Sequence, residues 1–127
     1  MIVADSDVLI DFLAGREPAA SRVAIELETR TFGTTVVTRF ELLAGARDQT
    51  AEGLLRRLLD PLITLPLDRT AADRAASVRK ALDLRGQGIG MADSLIAGIV
   101  LARGGMLLTR NRKHFERVEG LKLAALA

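Results

Sequence analysis

The chain contains no cysteine, tryptophan or tyrosine and only one histidine. Without cysteine there can be neither a disulfide nor a thiolate metal centre, which suits a reducing cytoplasm. Aromatic residues make up 3% of the chain, all of them Phe, so stacking of bases on rings is a poor route to nucleic acid. The longest apolar run, Leu95 to Ala102, is far too short to cross a bilayer. Asp5, Asp7 and Asp11 stand where a signal peptide needs a basic start and an apolar stretch. The expectation is a soluble, cytoplasmic protein without membrane association. Internal repeats, low-complexity segments and linkers are also missing.

What is present is aliphatic. Hydrophobic residues reach 49% of the 127 positions, so the core must be built from Leu, Ile, Val and Ala. That length reads as one domain over residues 1–127, enough to bury roughly two-thirds of its unfolded surface. Eighteen basic and sixteen acidic residues leave a net charge of +2, a weak pointer to nucleic acid. The distribution says more, because Arg110, Arg112, Lys113 and Arg117 crowd one short segment. Such a cluster is either a solvated face or a phosphate-binding one.

The chain is organised around its first ten residues. Ile2-Val3-Ala4 is a short apolar run that stops at Asp5, and a helical pattern follows at once. This reads as a strand buried on both faces, then a helix capped by Ser6 with Asp7 in its first turn. Asp5 then falls at the carboxyl end of an interior strand, where open α/β sheets place their ligands. Capping alone would also account for it.

Alternation continues along the chain. Pro18 starts a second helix with Ala20, Val23, Ala24 and Leu27 on one face. Gly33 to Val37 reads as a β-branched strand, and Thr38 as the cap of a helix with Phe40, Leu43 and Ala44 inward and Glu41 in its first turn. Thr50 opens a helix carrying Leu54, Leu55, Leu58 and Leu59. Leu62 to Leu65 suits an edge strand before Pro66. A long helix from Asp68 to about Leu84 buries Ala71, Ala75, Val78 and Leu82. The flexible loop Gly86–Gly90 leads to a helix ended by Gly104-Gly105, followed by strands at Met106–Thr109 and Leu121–Leu123. This βαβα rhythm predicts an α/β fold: a central parallel sheet of about five strands between helices. It leaves the strand order open.

Asp5, Glu41 and Asn111 gather at the carboxyl edge of such a sheet. Asp93 joins them if the loop at 86–90 carries its helix start to the same end. Clustered carboxylates repel, by about 4 kcal/mol for a pair 4 Å apart at an effective dielectric of 20. A proton, a basic group or a divalent cation must relieve this, and an all-oxygen set favours Mg²⁺ or Mn²⁺ over Zn²⁺. First-turn capping remains an alternative explanation for Glu41 or Asp93 taken singly.

Asp5…Ile10, Thr38-Arg39-Phe40-Glu41-Leu42-Leu43-Ala44-Gly45, Ala92-Asp93-Ser94-Leu95-Ile96-Ala97 and Leu108-Thr109-Arg110-Asn111-Arg112 together resemble a PIN domain. More narrowly, the pattern is similar to the VapC-type toxins of toxin–antitoxin pairs, over essentially the whole chain. The resemblance implies a three-layer fold, Mg²⁺- or Mn²⁺-dependent endoribonuclease activity, and neutralisation by a cognate antitoxin. It implies metal ligation by Asp5, Glu41 and Asp93, with Asn111 where the family often has a fourth acid. An amide brings no charge, which puts a second metal ion in doubt. Thr109 matches a hydroxyl position that orients a carboxylate, Ser6 supports the site, and Arg110, Arg112 and Lys113 lie where RNA phosphates would be met.

Asp5-Ser6-Asp7-Val8 also resembles the Asp-x-Asp opening of haloacid-dehalogenase-type phosphatases, with Asp5 as nucleophile and Asp7 as acid–base. That family needs an acidic pair near a fourth strand, where this chain has Thr109-Arg110-Asn111-Arg112. A weakly active RNA- or protein-binding module is the other alternative. His114 reads as a solvent-facing turn residue. The leucine stripe from Leu54 to Leu59 and the Ala-rich helix after Asp68 offer more apolar surface than a thin sheet covers, which predicts a homodimer.

Overall fold

The computed structural model describes residues 1–127. The elements in chain order are β1 (Ile2–Ala4), α1 (Ser6–Ala14), α2 (Ala19–Leu27), β2 (Gly33–Thr35), α3 (Val36–Ala44) and α4 (Gln49–Leu59). They continue with β3 (Ile63–Leu65), α5 (Arg69–Leu84), α6 (Met91–Arg103), β4 (Met106–Leu108), α7 (Arg112–Phe115) and β5 (Lys122–Leu123). All five strands are parallel, in the order β3-β2-β1-β4-β5. β1 lies at the centre, paired Ala4 to Thr34 on one side and Ala4 to Leu108 on the other. The chain moves outward from β1 through β2 and β3, then returns to β4 on the opposite side. The β1–β4 boundary is therefore the switch point at which parallel sheets open a crevice.

Successive strand residues face opposite sides, and the core divides accordingly. Ala4 and Leu108 pack with Val8, Leu9, Leu55 and Leu59 beneath α1 to α4. Val3 and Leu107 pack with Ala71, Leu82, Ile96, Val100 and Phe115 beneath α5 to α7. This is the three-layer α/β fold, with five parallel strands.

Local expectations fail where capping was misplaced. Asp5, not Ser6, caps α1: its Oδ1 accepts from the Ser6 N–H at 2.8 Å. Thr35, not Thr38, caps α3, accepting from the Thr38 N–H at 3.0 Å, so Val36 and Val37 are helical rather than extended. The hydroxyl cap outweighs the β preference of two valines. The helix thereby starts earlier and its inward face changes. Thr38 and Leu42 are buried, Phe40 is 71% exposed, and Glu41 lies in the second turn. Asp48 rather than Thr50 caps α4, and Leu54 faces outward while Leu55, Leu58 and Leu59 are buried.

Close packing of α5 on α6 depends on Gly98. A Cβ built there would lie 2.6 Å from the Ala71 carbonyl oxygen and from Ala75. Gly98→Ala is expected to cost about 1–3 kcal/mol through overpacking. Thermal unfolding should show a Tm several degrees lower, and an unchanged Tm would refute the close contact.

Candidate active site

Four segments deliver polar side chains to the carboxyl edge. β1 ends at Asp5, which sits at only 6% exposure. The second turn of α3 supplies Glu41, and the loop at 86–90 does bring the first turn of α6, with Asp93, to the same end. The chain leaving β4 supplies Thr109, Arg110 and Asn111. Asp5, Ser6, Asp7, Glu41, Asp93, Arg110 and Asn111 line one recess of about 430 Å³ without a single apolar residue.

Hydrogen bonds fix its floor. Thr109 Oγ1 donates to Asp5 Oδ2 at 2.7 Å and accepts from the Asn111 N–H at 3.0 Å. The hydroxyl thus ties the central carboxylate to the loop that bears Asn111. Asn111 Nδ2 in turn donates to Asp93 Oδ2 at 3.3 Å.

Burial and mutual repulsion set the charge. The Asp5 carboxyl is pushed up from 3.8 to about 6, first by burial, then by the Asp7 charge, with Asp93 adding to it. The Thr109 hydroxyl and the Ser6 N–H oppose the rise. Burial also raises Asp7, against the pull of the Arg110 N–H and guanidinium. Glu41 is raised by burial and by Asp93. Three carboxyls in one recess that all resist ionisation describe a site short of positive charge.

Of the basic side chains expected at phosphates, two are engaged within the protein. Arg110 Nε lies 2.6 Å from Oδ2 of the buried Asp11. Arg112 donates to the Ala124 carbonyl at 2.9 Å and approaches Glu116 at 3.8 Å. Lys113 is exposed and has no such tie. Arg110 still lines the recess, but Arg112 and Lys113 do not.

Two residues escaped the sequence reading of the site. Asp7, read there as a first-turn acid and as the second acid of the phosphatase alternative, lines the recess. Its Oδ2 accepts from the Arg110 N–H at 3.0 Å, while its Oδ1 is buried without a partner. His114, expected to face solvent, places Nδ1 3.3 Å from Asp93 Oδ2 and 3.0 Å from Asn111 Nδ2. The signal was the spacing: Asn111 and His114 are three residues apart, neighbours on one face once α7 forms.

An acid-lined recess at the switch point of a parallel sheet puts the candidate site where open α/β folds place their ligands. The chain belongs to the PIN domain family, whose profile matches residues 2–121. Among its relatives are the tRNA(fMet)-specific endonuclease VapC of Shigella flexneri, 30% identical over 93% of this chain and 92% of that one. Ribonuclease VapC10 of Mycobacterium tuberculosis is 33% identical over 96% and 91%. The fold matches VapBC2 from Rickettsia felis, solved bound to a promoter DNA fragment, with a TM-score of 0.86 at 21% identity over 98% of each chain. It also matches VapBC-1 from nontypeable Haemophilus influenzae, with a TM-score of 0.83 at 25% identity over 99% and 98%.

Proposed function

We propose that this chain is a divalent-metal-dependent endoribonuclease that hydrolyses RNA phosphodiesters and acts as the toxin of a toxin–antitoxin pair. The observation that carries the reading is the convergence of Asp5, Glu41 and Asp93 from three distant segments in a recess with no apolar wall. Two nuclease relatives of near full length support the same chemistry.

The residues suit Mg²⁺ or Mn²⁺. The donors are carboxylate and amide oxygens, and the unpartnered Asp7 Oδ1 adds to an excess of acceptors that a cation would relieve. The recess of about 430 Å³ has room for an ion that keeps much of its water. Asp5, Glu41 and Asp93 would hold it, and when bound it supplies an activated water and neutralises charge on the phosphate. Asn111 adds an oxygen without charge, Thr109 keeps Asp5 in place, and Ser6 fixes the Asp5 rotamer through its N–H. Lys113 offers the unengaged charge nearest Asn111 for the RNA backbone, with Arg110 and Arg112 secondary.

Partners follow from the surface around the recess. Ile10, Leu13, Leu42 and Leu54 line an apolar groove of about 380 Å³ that shares Glu41 with the acid recess. An antitoxin segment lying in that groove would cover the acids. The homodimer is retained on different residues, because Leu55, Leu58, Leu59, Ala71 and Ala75 are consumed by the chain's own core. Phe40 and Met91, 71% and 65% exposed on the contacting helices α3 and α6, are among the apolar side chains left on the surface for it. No helix is long and apolar enough to cross a membrane, and RNA as substrate places the activity in the cytoplasm. The phosphatase alternative gains nothing from the comparisons.

Thermal melting across a Mn²⁺ or Mg²⁺ titration tests the metal. Tm should rise at millimolar ion in the wild type and respond far less in Asp93→Asn. Identical, flat responses in both proteins would count against the reading.

A further inference from the structure

With Arg110 and Arg112 engaged, the arginines without a carboxylate partner become the informative ones. Arg74, Arg85 and Arg117 line one cleft of about 220 Å³ between α5, the later part of α6 and the segment after α7. Ser77 adds a hydroxyl, Val78 and Leu101 belong to an apolar wall, and Glu119 is the only acid at the rim. Two of the guanidiniums are held in place. Arg85 Nη2 donates to the Arg117 carbonyl at 3.0 Å, and Arg117 Nη1 to the Gln87 carbonyl at 3.4 Å. Each uses one N–H of five, so several donors stay available to a ligand. Arg74 is exposed and forms no hydrogen bond or ion pair within the chain.

Guanidiniums gathered around a partly apolar recess repel one another, and an oxyanion relieves this while matching their planar donors. The cleft is also tied to the acid site. Gln87 belongs to the loop that delivers Asp93, and Arg117 follows Asn111 by six residues, across α7. At helical rise α7 itself spans about 6 Å, and exposed Lys113 lies on it. A strand whose scissile phosphate occupies the acid recess would have to run along α7 to reach the cleft.

We propose that the Arg74–Arg85–Arg117 cleft is an exosite that holds a phosphodiester of the RNA strand flanking the cleaved bond, with the apolar wall against the adjoining sugar or base. The inference rests on the nuclease reading and deepens it. A free phosphate would satisfy the same donors, so the test separates the two.

Fluorescence anisotropy of a labelled single-stranded RNA, in EDTA so that it stays intact, is measured over a KCl series for wild type, Arg74→Ala and Arg74→Glu. Arg74→Ala should bind about three- to fivefold more weakly and lose about 0.7 from the slope of log K against log salt. Arg74→Glu should lose more, and both should melt with the wild type because Arg74 has no partner in the fold. Under added Mn²⁺, long RNA should show a raised KM with unchanged kcat, while an oligonucleotide too short to leave the acid recess should be cut equally by all three. Equal affinity and slope in Arg74→Glu, with cleavage of long RNA intact, would overturn the exosite and leave the nuclease reading standing. Stabilisation by inorganic phosphate that is lost in Arg74→Glu, with RNA slopes unchanged, would also overturn it in favour of a small anion. Neither binding nor cleavage of RNA by the wild type would overturn both.

Discussion

Asp5→Asn and Asp93→Asn should each lower metal-dependent RNA cleavage by about 10³-fold or more, the scale on which single pre-organised electrostatic groups act at a transition state. The two acids reach the recess from different elements, Asp5 from the end of β1 and Asp93 from the first turn of α6. Asparagine keeps the shape and the cap, since it caps helices as well as aspartate does. What it removes is charge, and with it the hold on a divalent ion and its water. Loss of activity should therefore come with an intact circular dichroism spectrum and a cooperative melt. Glu41, more exposed and in the second turn of α3, should respond in the same direction.

The metal-free protein should show the opposite side of the same charge distribution. Asp5 titrates near 6 in the fold against the usual 3.8, so the folded state holds this proton more tightly than the unfolded state does. Stability from this group is fully present below about pH 3.8 and is lost as pH rises through about 6, by about 3 kcal/mol in all. Asp7 and Glu41 are raised too and act in the same sense. Asp5→Asn carries no proton to lose. In EDTA, urea unfolding at pH 4.5 and 7.5 should show the variant gaining on the wild type by about 2 kcal/mol between the two. The Thr109 hydroxyl donates to Asp5 Oδ2 and holds the rise of that carboxyl to about 6. Millimolar Mn²⁺ should cancel the advantage by stabilising only the wild type. Parallel pH profiles would show that Asp5 is not held against ionisation.

Most of the fold was legible in the chain because its strands are short, apolar and sharply bounded. Asp5 after Ile2-Val3-Ala4 and the glycine pair after α6 gave the strand and helix limits directly. The strand order was not legible, since register and order depend on contacts between segments far apart in sequence. Val36 and Val37 misled through β-branching, and the Thr35 cap overrode them. That shift of the helix start turned Phe40 outward and moved Glu41 to the second turn. The acids of the site were legible as types at motif positions. Its electrostatic surroundings were not, because Asp11 meets Arg110 and His114 meets Asp93 only when separate elements are packed together. Arg110 and Arg112 looked like free charge in the sequence for the same reason: their partners, Asp11 and the Ala124 carbonyl, are remote or belong to the backbone.

The chemistry of the ends of cut RNA tests the central claim most directly. Water attack on the phosphodiester leaves a linear phosphate monoester on one product and a hydroxyl on the other. Attack by the RNA's own 2′-hydroxyl, the route open to an imidazole such as His114 without any metal, leaves a 2′,3′-cyclic phosphate. Purified protein with Mn²⁺ should yield only linear ends, with no cleavage in EDTA and none by the Asp5→Asn, Asp93→Asn double variant. Cyclic phosphate ends that persist in EDTA, or wild-type cleavage by the double variant, would contradict the account.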